Sequence, residues 1–319
     1  MNDVLNTLGL VGIIPVVVID DKEHAQPLAQ ALLKGGLPTM EITFRTAAAK
    51  DSMKKIAATC PDILLGAGTV LSVEQVKMAV DCGARYIVSP GINREVVDYC
   101  LGAGIPVTPG VATPTDIQAA VDLGLDVVKF FPAEASGGLE YLKAISAPFR
   151  QMRFIPTGGI DQSTVLSYLQ HASVLACGGS WMVKADLITA KRFDEIERLA
   201  DRAVATMLGL HLVHVGINHP DPAAATRTTN LLARLLHLPI RDGESSLFAG
   251  AEYELLKSPG AGTHGHIAIG THFLDRAAAF FTRGGVRTKE ETRNVKNGKT
   301  ASIYLDIDLA GFAIHLLQE

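Results

Sequence analysis

The stretch DVVKFFPAE, residues 126–134, places Lys129 in the middle of an otherwise apolar run. Its β-branched and aromatic residues predict a buried strand, in which alternate side chains point to the same face. Lys129 would therefore share a face with Val127 and Phe131. Because burial disfavours the charged form of an amine, and a neutral amine is a nucleophile, we expect Lys129 to be a chemically active group.

Similar β-branched runs recur along the first 209 residues, with an amphipathic helical segment between one run and the next. One such segment, SVEQVKMAVDCGA, offers Ser72 as an N-cap and Gly83 as a stop. Alternating strands and helices of this number predict an α/β fold, the (β/α)8 TIM barrel. An open doubly wound sheet is the alternative, but VVVIDDKEH lacks its Gly-rich fingerprint. The predicted strands are 13–19, 40–44, 63–69, 85–90, 105–110, 126–132, 153–159 and 173–179.

Length and composition suggest two domains in a folded protein of 319 residues, 48% hydrophobic and 19% charged. We place the barrel at residues 1–209 and a smaller α+β domain at 210–319. A net charge of −4 without a dense basic cluster argues against a nucleic-acid partner. The N-terminus has no basic leader, which argues against a signal or membrane segment. Scattered cysteines without metal-type spacing suggest reduced thiols and a cytoplasmic location; they are Cys60, Cys82, Cys100 and Cys177.

If the fold is a barrel, its chemistry lies where the strands end and the following loops begin. Strand alternation in MEITFRT places Glu41, Thr43 and Arg45 on one face. Glu41 is thus a candidate partner of Lys129. A structural ion pair between Glu41 and Lys129 and a solvated Arg45 remain as alternatives.

The last two predicted strands each end in paired glycines, at the position where barrels often bind phosphate. Glycines let successive N–H groups converge on an anion, and a serine hydroxyl adds another donor. The pairs are Gly158–Gly159 and Gly178–Gly179, the latter followed by Ser180. GAGT and SPG occupy further rim positions, where Thr69 is the residue most expected to face a ligand. Ordinary turn chemistry is the alternative for all of these glycines.

Six motifs, EITFRT, GAGTV, SPG, KFFPAE, PTGGI and GGSW, together resemble the 2-keto-3-deoxy-6-phosphogluconate (KDPG) aldolase family over residues 8–208. These are class I aldolases on a (β/α)8 barrel. The resemblance implies that Lys129 forms the Schiff base and that Glu41 shuttles protons. It also implies that Arg45 and Thr69 bind the carboxylate end of the substrate and that Pro90 lines the site. The phosphate would be bound by Gly158, Gly159, Gly179 and Ser180.

The implied reaction cleaves KDPG to pyruvate and glyceraldehyde 3-phosphate, and 4-hydroxy-2-oxoglutarate to pyruvate and glyoxylate, with no cofactor. The family also implies a homotrimer. Related phosphogalactonate aldolases carry asparagine at the position of Arg45 and an arginine near the end of the first strand, where IIPVVVIDD has none. An unphosphorylated or galactonate-type substrate remains an alternative. So does a different phosphate-binding barrel enzyme such as an epimerase, which would not need Lys129.

Residues 210–319 contain an internal βαβββ repeat that begins at HLVHVGI and again at GHIAIGT. This repeat resembles the glyoxalase and bleomycin-resistance (vicinal oxygen chelate) superfamily. The resemblance implies a divalent metal held by residues of the first and last strand of each module. By position these are His214, Glu254, His266 and His315. The last position is more usually glutamate, so His315 departs from the pattern. Metal-free ligand binding is one alternative, and a metal-dependent lyase, isomerase or dioxygenase is another.

Overall fold

The computed structural model describes residues 2–319. Its backbone divides into a first unit that ends at Met207 and a second unit from Leu208 to Glu319. The sequence-based boundary, between residues 209 and 210, lies within two residues of this division. Among the described residues, no helix has both the length and the apolar character needed to cross a membrane.

The first unit is an α/β structure in which strands and helices alternate. A short 3-10 turn, Lys22–His24, precedes its second helix. Its elements are α1 Asp3–Val11, β1 Ile13–Val17, α2 Ala25–Lys34, β2 Thr39–Thr43, α3 Ala49–Thr59, β3 Leu64–Gly68, α4 Val73–Asp81, β4 Tyr86–Val88, α5 Arg94–Gly102, β5 Val107–Thr108, β6 Gly110–Val111, α6 Pro114–Asp122, β7 Val127–Phe130, α7 Gly138–Ser146, β8 Arg153–Pro156, α8 Val165–Leu169, β9 Cys177–Gly179, α9 Ala185–Thr189 and α10 Phe193–Leu208.

The strands of this unit pair in parallel, in an order consistent with the predicted barrel. One sheet has the order β5-β4-β3-β2-β1-β9 and a second has the order β6-β7-β8. Two isolated parallel bridges, Phe154 with Val174 and Thr157 with Gly178, connect the β8 and β9 segments. The predicted strand 105–110 is divided into β5 and β6 around Pro109, because proline has no N–H for the ladder. The Pro109 carbonyl still accepts from the Lys129 backbone N–H at 2.9 Å.

Residues 3–11, which precede the first predicted strand, form helix α1, an element that was not predicted from the sequence. Asn2 caps this helix by accepting a hydrogen bond from the Val4 N–H at 2.8 Å. The buried Leu5 and Leu8 pack in one cluster with inward-facing strand residues, including Val127. Helix α1 therefore packs against the apolar side chains of these strands.

Helix ends in this unit follow the local capping rules. Ser72 caps α4, as predicted, and Gly83 follows that helix with a φ of 98°, a conformation that glycine adopts without strain. Helix α6 begins with a capping box in which Thr113 accepts from the Asp116 N–H at 3.3 Å. The Asp116 carboxylate accepts in return from the N–H groups of Thr113 and Ala112. Burial opposes ionisation of Asp116, but these hydrogen bonds hold its pKa below its usual range.

The second unit is built on one eight-stranded sheet with the order β11-β12-β13-β10-β14-β17-β16-β15. In chain order it has one strand, one helix and three strands, and then one strand, one helix and three strands again. Its elements are β10 His211–Asn218, α11 Pro222–Leu236, β11 Ile240–Asp242, β12 Ser246–Ala249, β13 Tyr253–Leu256, β14 Gly265–Thr271, α12 Leu274–Arg283, β15 Thr288–Lys296, β16 Lys299–Leu309 and β17 Phe312–Gln318.

The capping box of α6 generates a stability prediction. Thr113→Ala removes the hydroxyl that satisfies an N-terminal N–H group, and we expect it to lower the free energy of unfolding by about 1 kcal/mol at pH 7. Thr113→Ser keeps the hydroxyl and should lose much less. Because the pKa of Asp116 is depressed in the folded state, its contribution is present above about pH 4 and is lost as the pH falls further.

Thermal unfolding of the full chain at pH 7 and at acidic pH tests this prediction. The Ala variant should melt a few degrees below the Ser variant at pH 7. The effect of Asp116→Asn should shrink on acidification, and equal melting of all variants at pH 7 would contradict the capping role.

Candidate functional site

Lys129 and Glu41 come together in the buried interior of the first unit. Lys129 lies on β7 and is 7% exposed, and Glu41 lies on β2 and is 3% exposed. The Lys129 Nζ is 3.5 Å from Glu41 Oε1 and 5.0 Å from the centre of the Phe131 ring. Lys129 and Val127 lie on the same inward face of β7, with Val127 in the apolar cluster, as strand alternation predicts. An amine and a carboxylate in contact, shielded from water, can form and break bonds to a carbonyl and move protons.

Arg45 and Thr69 contact each other at the carboxyl ends of β2 and β3, where the Arg45 Nε donates to Thr69 Oγ1 at 3.3 Å. Strand β2 ends at Thr43, so Arg45 lies in the following turn, exposed, rather than on the strand face that carries Glu41. This corrects the alternation argument for Arg45. Thr69 has a φ of 59°, a left-handed conformation that is strained for a β-branched residue. Such strain is concentrated at functional sites, which supports a role for the Arg45–Thr69 pair.

Pro90 lies just beyond β4 and is exposed. Its carbonyl lies so close to the backbone of β6 that a side chain on Gly110 would overlap it. The Gly110 N–H donates to the neighbouring Ser89 carbonyl at 3.0 Å. Pro90 is thus held at the same edge of the strands as Thr69.

The Gly158–Gly159 turn lies beside Gly178 and Gly179, the last two residues of β9, because Thr157 and Gly178 form a parallel bridge. Gly158 and Gly159 have φ values of 100° and 85°, which other residues adopt only with strain. Gly179 is buried against the Trp181 ring, and Ser180 is exposed. This arrangement brings together backbone N–H groups and a hydroxyl of the kind that binds an anion.

Lys184, which was not predicted from the sequence, lines the same cleft as Ser180. A cleft at the ends of β1 and β9 is lined by Ser180, Lys184, Val16 and Val18, among others. Lys184 adds a positive charge next to the predicted phosphate-binding residues. A signal was available, since Lys184 follows GGSW by only three residues.

A polar cluster occupies the middle of the second unit. One nitrogen from each of His214, His266 and His315 lies within 4.8 Å of the others. Glu254 Oε2 is 3.2 Å from both His214 Nε2 and His266 Nε2, and these two nitrogens are 3.1 Å apart. All four sequence-predicted ligands are thus brought together by the four central strands, β13, β10, β14 and β17.

The distances among His214, His266 and Glu254 suit ligand atoms of one metal ion. Ligand atoms about 2.0–2.1 Å from one metal, at tetrahedral or octahedral angles, lie about 2.8–3.4 Å apart. The contacts among His214, His266 and Glu254 fall in this interval. Among the described residues, His315 Nε2 is one of the buried side-chain atoms without a hydrogen-bond partner. A buried lone pair without a donor is costly, and a cation would satisfy it.

The surroundings of Glu254 and His315 favour the protonation states in which these groups can bind a metal. Hydrogen bonds from His214 and then His266 hold the pKa of Glu254 far below its usual range. Burial, followed by the neighbouring His266, lowers the pKa of His315 to about 3, so its imidazole is neutral at physiological pH. Ser246 Oγ donates to Glu254 Oε1 at 2.7 Å, and the Tyr304 ring stacks on His315. A neutral imidazole at His315 and an ionised carboxylate at Glu254 are the states in which these groups bind a metal.

Comparison with known proteins identifies relatives of the first unit. A family model described as KDPG and KHG aldolase matches residues 4–199. The 2-dehydro-3-deoxy-phosphogluconate aldolase of Treponema pallidum (strain Nichols) is 47% identical over 204 residues, covering 64% of this chain and 97% of that relative. The KHG/KDPG aldolase of Escherichia coli (strain K12) is 43% identical over 192 residues, covering 60% of this chain and 90% of that relative.

A solved structure is similar as well. It is the KDPG aldolase from Legionella pneumophila, with pyruvate captured at low pH as a covalent carbinolamine intermediate. It is 38% identical with a TM-score of 0.61, and the match covers 62% of this chain and 97% of that one. The family match ends at residue 199 and therefore does not describe the second unit.

Proposed function

The chain belongs to the KDPG and KHG aldolase family, and from this premise we propose that it is a class I aldolase. Its substrate is 2-dehydro-3-deoxy-6-phosphogluconate, which it cleaves to pyruvate and glyceraldehyde 3-phosphate. The observation that carries the proposal is the buried Lys129 amine 3.5 Å from the Glu41 carboxylate. The first unit is proposed to be a closed (β/α)8 barrel, which would place this pair in its mouth.

The mechanism assigns covalent chemistry to Lys129 and proton transfers to Glu41. The neutral Lys129 amine attacks the C2 ketone, and Glu41 moves protons so that the carbinolamine loses water and becomes an iminium. Removal of the C4 hydroxyl proton breaks the C3–C4 bond, and the iminium accepts the electron pair as an enamine. Glyceraldehyde 3-phosphate leaves, the enamine is protonated at C3, and water hydrolyses the resulting imine to pyruvate and free Lys129.

The ends of the substrate are assigned to the two edges of the site. Arg45 and Thr69 bind the carboxylate, Pro90 lines the site between the ends, and the glycine turns with Ser180 receive the phosphate. The Gly158–Gly159 turn and the end of β9 with Ser180 lie side by side and offer groups of the kind that binds an anion. We therefore favour the phosphorylated acid as substrate over an unphosphorylated or galactonate-type one. The same site would cleave 4-hydroxy-2-oxoglutarate to pyruvate and glyoxylate. Product assays with each acid distinguish these substrates.

Lys129→Ala is expected to abolish both cleavage and the covalent adduct that borohydride traps with pyruvate. Mass spectrometry of the trapped wild-type protein should place the adduct on the peptide that contains Lys129. Lys143→Ala, which removes an exposed lysine from a surface ion pair, is the control and should keep the adduct. A pyruvate adduct that persists at full yield on the Lys129→Ala variant would rule out the assignment.

Glu41→Gln keeps the size of the side chain but removes its ability to accept and return a proton. We expect turnover to fall by about two to four orders of magnitude, with the protein still folded. Steady-state kinetics and thermal melting measure the two quantities separately. Turnover equal to that of the wild type would exclude Glu41 from the proton transfers.

For the second unit we propose paired βαβββ modules of the glyoxalase-like, vicinal oxygen chelate type that hold one divalent metal. Three imidazoles and a carboxylate suit zinc, nickel, iron or manganese. The residues that would hold it are His214, Glu254, His266 and His315. Bound there, the metal would act as a Lewis acid for an oxygen ligand, the chemistry of a metal-dependent lyase or isomerase. The unsatisfied His315 Nε2 supports this proposal.

Metal content tests the second proposal directly on the full chain. After equilibrium dialysis against zinc or nickel at neutral pH, elemental analysis should find about one equivalent per chain, since the site offers four ligands. His266→Ala should lose this metal. His237→Asn, at an exposed helix C-terminus where asparagine tolerates the left-handed backbone, should keep it. Absence of stoichiometric metal from the wild-type chain would refute the proposal.

Two further properties are proposed from the family resemblance and from the cysteines. We propose a homotrimer, which sedimentation would measure. All four cysteines are free and buried, which fits the reducing environment of a cytoplasmic protein.

A further inference from the structure

Strand β3 presents two glycines toward the space that holds Glu41. Its residues alternate in direction, so Leu64, Gly66 and Gly68 share one face. Leu64 packs against the buried apolar cluster that contains Val127, so this face of β3 points to the interior. In most barrels such positions carry bulky branched side chains that fill the interior. Here the neighbouring strands supply the filling side chains.

The space over Gly68 is occupied by the Glu41 carboxylate. A Cβ atom on Gly68 would overlap Glu41 Oε1 and would lie only 2.7 Å from its Cδ and 2.8 Å from its Cγ. The backbone of Gly68 lies outside the left-handed region, so its conformation suits alanine as well. The requirement for glycine is therefore spatial.

The space over Gly66 is occupied by Tyr86. A Cβ atom on Gly66 would lie 2.6 Å from Cε1 of the Tyr86 ring and closer still to its Cε2 and Cζ atoms. Tyr86 is 1% exposed, and its hydroxyl is 3.3 Å from Thr39 Oγ1. Burial, and then the charge of Glu41, raises the pKa of Tyr86, which keeps the phenol neutral.

These two glycines direct Glu41 along the strands. In the β2–β3 ladder Glu41 is the partner of Gly66, and Thr43 is the partner of Gly68. The Tyr86 ring blocks the position over Gly66, so the Glu41 side chain leans toward Gly68, two residues nearer the carboxyl end of β3. That direction leads to Lys129, whose Nζ is 3.5 Å from Glu41 Oε1.

We propose that Gly68 is a positioning residue, whose missing side chain lets the Glu41 carboxylate reach Lys129 and the reacting carbon atoms. This inference rests on the proposed aldolase function and adds a residue to it. Because Glu41 is a flexible side chain, Gly68→Ala would displace the carboxylate and leave the strand in place. A displacement of about 1 Å at a catalytic group can reduce turnover about 100-fold.

The test is a double-mutant cycle with Gly68→Ala and Glu41→Ala on the full chain. Glu41→Ala removes the atoms that the new methyl group would meet. Gly102→Ala is the matched control, because a Cβ there meets open space and needs no change of backbone. Turnover, exchange of the pyruvate methyl hydrogens for deuterium, and thermal melting are measured for each variant.

Gly68→Ala is expected to lower turnover and methyl exchange about 10- to 100-fold, whereas Gly102→Ala should change neither. In the Glu41→Ala background the same substitution should change the residual rate less than about twofold, because the two effects share one cause. A Gly68→Ala variant with control-like rates would overturn the proposal, as would equal losses in both backgrounds.

Folding and function are separated in the same experiment. If Gly68→Ala alone fails to fold while the double variant folds, the contact with Glu41 is demonstrated. If both fail to fold, Gly68 is required for structure and the proposal is wrong. A wild-type protein that forms no pyruvate adduct would instead refute the aldolase function itself.

Discussion

The contact between Lys129 and Glu41 constrains which residues the neighbouring strands of the first unit can carry. Both groups are buried, and removing two ionisable groups from water costs free energy that their attraction barely offsets. The pair therefore contributes little to folding, and neighbouring residues must hold it in place. Strand β7 supplies an apolar face with Val127, and β3 leaves space over Gly68 for the carboxylate. The fold here maintains the geometry that the proposed proton transfers require.

Space above glycine positions the key side chains in both units. In the second unit Gly216 on β10 is the ladder partner of His266, and a Cβ atom there would lie only 2.2, 2.4 and 2.5 Å from three atoms of the His266 ring. The absence of a side chain lets the ring fold over the strand and bring its Nε2 within 3.1 Å of His214. Glycine in a strand weakens it, so its use at Gly68 and Gly216 indicates close approach of another group.

The sequence predicted the features that depend on periodicity, and missed those that depend on where a period stops. Alternation correctly placed Lys129 and Glu41 inside, because both lie within their strands. It failed for Arg45, because β2 ends at Thr43 and the following turn has its own geometry. Helix α1 was missed because its apolar residues run directly into those of β1. The roles of Gly68 and Tyr86 depend on contacts between strands, which one strand's sequence does not contain.

The cluster in the second unit shows how strand order turns distant residues into neighbours. His214 and His315 are far apart in the chain, yet their strands flank β14, which carries His266. Glu254 lies on β13, on the other side of β10, and pairs with Gly216. Because Gly216 faces both Glu254 and His266 in the ladders, the carboxylate and the imidazole meet over a residue without a side chain. Histidine at 315 extends the group from the neighbouring strand. Four ligand-type side chains converge because β10 and β14 lie side by side, with β13 and β17 as their outer neighbours.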